Sequence, residues 1–185
     1  MNRLSVLVVC LGFIAVGCTD SNPSAPTGGT RTTTTFTVPL STANEVPPIT
    51  NADAGATGTA IIAVTITKDD AGNVTAATAN FQITVSGFPA GTSVTDAHIH
   101  NGAPGGNAGV YVNTGLTSGE LPLTNGAGSV TKNGINLPSD RAAAILANPS
   151  GHYFNVHTAL NAAGAIRGQL AGGGAVVEPG APIPY

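Results

Sequence analysis

With 185 residues, the chain has room for one core with short appendages. Only 8% of its residues are charged and 4% aromatic, and glycine, alanine, threonine and valine dominate, a composition suited to an all-β protein with many turns. The formal net charge of −3, with six scattered basic residues, excludes the basic run of a nucleic-acid footprint, so no nucleic-acid partner is expected.

The first residues predict export. Arg3 gives a positive start, Leu4 to Val16 is an apolar stretch too short for an ordinary membrane span, and Ala15-Val16-Gly17-Cys18 closes it with small residues before a cysteine. Residues 1–17 are thus expected to be a bacterial lipoprotein signal, with lipid on Cys18 tying the chain to a membrane. Thr19 after the cysteine, where an aspartate would retain the chain, points to the outer membrane if the host is Gram-negative. Cys10 lies within the apolar stretch, so the mature domain has no thiol, and any metal would be held by nitrogen and oxygen. Residues 18–35, rich in Ser, Thr, Pro and Gly, are expected to be a flexible tether.

A domain over residues 36–171 follows. Phe36, Val38 and Leu40 alternate, as do Ile62, Val64 and Ile66 before the turn Asp69-Asp70-Ala71-Gly72-Asn73, and Phe81, Ile83 and Val85 before Gly87. Val94 to His100, Val110 to Val112, Gly119 to Leu123, Tyr153 to Thr158 and Ala165 to Leu170 are further predicted strands. One short helix is expected from about Ser139 to Ala147, stopped by Asn148-Pro149. The spacing predicts an all-β fold, an antiparallel, Greek-key-like β-sandwich or flattened barrel with one short helix. Residues 172–185 are expected to be a mobile Gly/Pro-rich tail, in which Val176-Val177 could add an edge strand.

His98 and His100, two apart on a predicted strand, leave one face together while Ala97 and Ile99 turn inward. His157 also sits on a predicted strand, and an adjacent pairing would bring it alongside them as a nitrogen-rich set suited to copper or zinc. The alternative is a hydrogen-bonded polar cluster of His98, His100 and Arg167 with Asn155 or Asp96. Buried rings, each engaged by a protein hydrogen bond, would favour this cluster and count against a metal, which requires ring nitrogens converging on one point. His152 falls on the opposite face from His157 and is expected at the surface or in a loop. Glu45 and Glu120 are lone carboxylates expected in turns or at the surface, and the glycines of residues 102–109 would let backbone pass close to the histidine face.

Leu40-Ser41-Thr42-Ala43-Asn44-Glu45-Val46-Pro47-Pro48, the His98-Ile99-His100 box followed by glycines, and Asn155-Val156-His157-Thr158 leading into Ile166-Arg167-Gly168-Gln169-Leu170 together resemble the chordin (CHRD) domain. The resemblance implies the domain and no assigned chemistry. More distantly, the His-x-His strand, the late histidine and the following arginine are similar to the Cu/Zn superoxide dismutases. That likeness implies His98, His100 and His157 as copper ligands, with Arg167 over the open coordination position as an anion-steering catalytic residue. The zinc ligands of those enzymes have no counterpart, since residues 101–120 contain no histidine.

Two functions follow. One is a non-enzymatic, lipid-anchored, extracytoplasmic binding or envelope module for a protein or surface ligand. The other is a copper protein that stores or passes the metal or acts on superoxide.

Overall fold

The computed structural model describes residues 29–178. The predicted signal peptide, Cys18 and the first part of the tether lie outside the described residues, as does the end of the tail.

Three long strands, β1 (Arg31–Ser41), β2 (Thr57–Lys68) and β3 (Val74–Ser86), form an antiparallel meander. Phe36, Val38 and Leu40 face inward with Ile62, Val64, Phe81, Ile83 and Val85, while their sequence neighbours face solvent, so each strand contributes one apolar face. The β2–β3 turn forms as the sequence predicts. Asp69 accepts hydrogen bonds from the Asn73 backbone N–H at 2.8 Å and side-chain amide at 3.0 Å, and Gly72 takes a φ of +84° that disfavours a side chain.

Beyond this meander come β4 (Val94–Asn101), β5 (Val110–Asn113), β6 (Gly128–Asn136), the helix α1 (Ser139–Ala147), β7 (His152–Thr158), β8 (Ile166–Gln169) and β9 (Gly174–Glu178). The strands make one sheet in the order β5-β4-β7-β8-β1-β2-β3-β6, curled into a half-barrel. The curl brings the two halves face to face across the core, where Phe81 of β3 stacks on Phe154 of β7 with ring centroids 6.0 Å apart. The helix buries Ala142 and Ile145. All-β architecture with one short helix is thus observed among the described residues, as a half-barrel, and the core is a single cluster.

Three boundaries differ from the sequence reading. The predicted tether ends earlier, because Arg31 to Thr35 pair with both β2 and β9, and backbone pairing orders a threonine run that has no apolar period. Val176 and Val177 lie in the edge strand β9, which shortens the predicted tail. No strand forms over Gly119 to Leu123. The strand in that region is β6, an edge strand with no fully buried position, so burial imposes little alternation on its sequence.

Candidate metal centre

β7 is buried at all seven of its positions. Phe154 and Val156 enter the core, and the opposite face, carrying Tyr153, Asn155 and His157, is covered as well. β4 lies antiparallel to it, with Asp96 opposite His157, His98 opposite Asn155 and His100 opposite Tyr153. Period-two geometry therefore puts Asp96, His98, His100, Tyr153, Asn155 and His157 on one patch.

Three loops roof that patch. The loop of residues 102–109 sends the Ala108 carbonyl to His100 Nδ1 at 3.0 Å, and the loop of residues 159–165 sends the Ala162 carbonyl to His157 Nδ1 at 3.0 Å. The segment between β1 and β2 reaches the second loop through Asp53, whose Oδ2 accepts from Thr158 Oγ1 at 2.8 Å and Asn161 Nδ2 at 2.7 Å. It reaches the first through Asn107 Nδ2, which donates to the Val46 carbonyl at 2.7 Å. Glycine makes such close cover feasible. A Cβ on Gly164 would come 2.3 Å from Asn155 Nδ2, and one on Gly102 would come 2.9 Å from the Tyr153 ring.

The imidazoles converge. One ring nitrogen from each of His98, His100 and His157 lies within 4.8 Å of the other two, and His98 Nδ1 stands 3.2 Å from His157 Nε2. Two nitrogens bound to one tetrahedral ion at about 2.0–2.1 Å stand roughly 3.3 Å apart, so this spacing needs little adjustment.

The hydrogen-bond network assigns the protons of two rings. His100 and His157 each donate from Nδ1 to a backbone carbonyl, which leaves Nε2 as a lone pair. His98 lies between two acceptors, with Nε2 2.9 Å from Asp96 Oδ1 and Nδ1 3.2 Å from His157 Nε2, so its proton serves one or the other. Buried His100 Nε2 has no hydrogen-bond partner. Burial is the main force on all three rings and lowers their pKa values. Asp96 partly opposes it at His98 and His157, as do the carbonyl hydrogen bonds at His100 and His157.

Arg167 is only 4% exposed. Its Nε donates to the Asn44 carbonyl, and one terminal nitrogen donates to the Gly106 carbonyl at 3.0 Å and Asn107 Oδ1 at 3.1 Å. Its guanidinium carbon lies 4.5 Å from the centre of the Tyr153 ring, which stacks in turn on His100 at 4.8 Å. Arg167 is therefore in the cluster's surroundings, separated from the histidines by Tyr153 and fastened to two of the roof loops.

Two expectations need correction. Glu45 is not a surface residue but 6% exposed, with Oε1 unpartnered; Arg167 Nε lies 4.0 Å from Oε2, yet burial outweighs that attraction and lifts the carboxyl to about 7. His152 is buried, because β7 starts at this residue and the turn before it closes over the ring, whose Nδ1 donates to the Asn148 carbonyl at 2.9 Å. Glu120 is exposed as expected and pairs with Lys132 at 3.0 Å. Tyr153 escaped the sequence reading although its i, i+4 spacing to His157 within a strand placed it on the same face. The Ala108 and Ala162 carbonyls are backbone groups, which the sequence does not mark.

Residues 36–170 match the CHRD domain. The chain belongs to the CHRD domain family. The match runs from the first core residue of β1 to the end of β8, so the CHRD domain contains both the histidine cluster and Arg167. No curated protein and no solved structure matches the chain.

Proposed function

We propose that this CHRD domain is an extracytoplasmic metal-binding module, lipid-anchored through Cys18, in which His98, His100 and His157 hold one copper ion. The observation that carries the reading is the convergence of one ring nitrogen from each histidine within 4.8 Å, with His100 Nε2 buried and unpartnered. An orphaned buried acceptor is costly, and a cation at the centre would satisfy His100 Nε2 while taking the two nitrogens beside it as further ligands. The other nitrogens are held by Asp96, Ala108 and Ala162, the outer contacts that fix the tautomer and aim of a ligating imidazole. An all-imidazole, thiol-free set favours copper or zinc over magnesium or calcium. Arg167 serves this site as a clamp on the roof loops.

The structural-cluster reading has one observation in its favour: the rings are buried and each has a close protein partner. Those partners account for one nitrogen of each ring. To account for the others, His98 would have to donate from Nδ1 to His157 and turn a bare Nε2 toward Asp96. Titration of the purified, tag-free, metal-stripped domain with Cu(II) separates the two: one tightly held copper per chain is expected, and failure to retain any after desalting rules the metal reading out. The anchor is tested by fractionation, where Cys18→Ala should move the protein from the membrane fraction to the soluble extracytoplasmic one. Wild type found in the soluble fraction would refute the lipid anchor.

A further inference from the structure

Beside the histidines lies a cleft of about 580 Å³, with His100, Glu45 and Tyr153 among its walls. Its size is that of a small-molecule site, and two buried, unpartnered atoms belong to residues lining it, His100 Nε2 and Glu45 Oε1. The rest of the wall is mixed: Thr50, Asn51, Asn107 and Asn161 bring uncharged polar groups, and apolar side chains stand beside them. Val46, Pro47, Pro48 and Ile49 line one side, Leu160 and Ala162 another, and Val46 and Leu160 are exposed by 36% and 57%. No lysine or arginine lines the cleft among the described residues, and Arg167 opens instead onto a neighbouring cleft with Gln169 and Pro104. A site built to gather a small anion presents fixed positive charge along its approach. This cleft presents uncharged amides and a hydroxyl beside proline, valine and leucine.

From this geometry we infer that the cleft is the binding site for an uncharged, amphipathic organic molecule. One nitrogen or oxygen donor of the ligand takes the position on the ion that the three imidazoles leave open, while its apolar remainder packs against Val46, Pro48 and Leu160. The inference rests on the metal reading above and names the kind of ligand that completes the site. Selectivity comes from the wall, since a bare ion accepts many donors and apolar contact rewards only a ligand that carries an apolar group.

Imidazole and 4-phenylimidazole, compared above their protonation range on the copper-loaded chain, test this, because they offer the metal the same donor and differ in one phenyl group. Binding is followed by the visible and paramagnetic resonance spectra of the copper, with retained copper measured after desalting. The phenyl compound should bind at least about tenfold more tightly, a fraction of what full burial of a ring can supply. Leu160→Asp and Val46→Ser, at positions outside the three metal-binding histidines, should erase the preference while leaving copper affinity unchanged. Equal affinities with copper retained would overturn the inference and leave the metal reading standing. So would azide binding more tightly than both, with strong dependence on salt, which would mark an anion site. A chain that retains no copper would overturn the metal reading and this inference together.

Discussion

β2 and β7 belong to one sheet and bury the same kind of inner face, yet their outer faces differ completely. Along β2 the outward residues are exposed or half-buried, and the strand alternates as a one-sided sheet should. Along β7 every residue is buried, because three loops lie over the outer face and shield Tyr153, Asn155 and His157. The inner face stabilises the fold through apolar contact, whereas the covered outer face holds polar groups away from water. Polar burial without full satisfaction costs free energy, so the place where it is tolerated is the place to look for function.

The sharpest way to break this comparison is to cut each strand on its working face. Ile62→Ala on β2 removes a fully buried side chain and should cost about 2–5 kcal/mol in urea unfolding, while leaving copper stoichiometry unchanged. His100→Ala should do the reverse. Copper affinity should fall at least about 100-fold in a competition titration, while stability falls by about 1–3 kcal/mol, because the Ala108 carbonyl loses its Nδ1 donor. Equal stability losses in both variants would mean that the covered face is a second core.

Arg167→Ala comes next in size. The sequence resemblance pairs this arginine with an anion; its contacts make it the fastening of the loops that hold Ala108 against His100. Copper affinity should drop by up to about tenfold, the low end of the scale for contacts that support a metal ligand, since Arg167 acts through the loop that carries Ala108. Unchanged affinity with weakened anion binding would restore the steering role.

pH gives a finer test, with opposite signs from two groups. Burial depresses the three imidazoles, so as pH falls below roughly 6.5 the unfolded chain takes up protons before the folded one does. The metal-free domain should therefore lose thermal stability over that range, until the folded rings are protonated too. Bound copper resists this loss, and copper should be released only below the ordinary histidine range. Glu45 runs the other way. Its pKa is raised from 4.5 to about 7, so its contribution is full below 4.5 and is lost as pH rises through about 7. Glu45→Gln should flatten that decline and leave the chain slightly more stable above neutrality, the smallest of these effects.

Much of this contrast was legible in the sequence. Apolar alternation marked β1, β2 and β3 because water on one side and core on the other impose it directly. The shared face of His98 and His100 followed from the same period. Convergence with His157 depended on β4 lying beside β7, a pairing between segments far apart in the chain. Glu45 and His152 were misplaced for a related reason: each is covered by a turn or loop, and such cover leaves no periodic trace. β6 was missed because an edge strand with no fully buried position is free to vary.

The pairing of β9 with one end of β1 has a consequence of reach. Arg31 lies opposite Glu178, so the two ends of the described chain leave side by side, while Ser41 at the other end of β1 lies opposite Arg167. At a rise of roughly 3.3 Å per residue, β1 separates these two points by about 30 Å. Both ends of the described residues thus stand at the opposite end of β1 from the point where Arg167 clamps the roof loops.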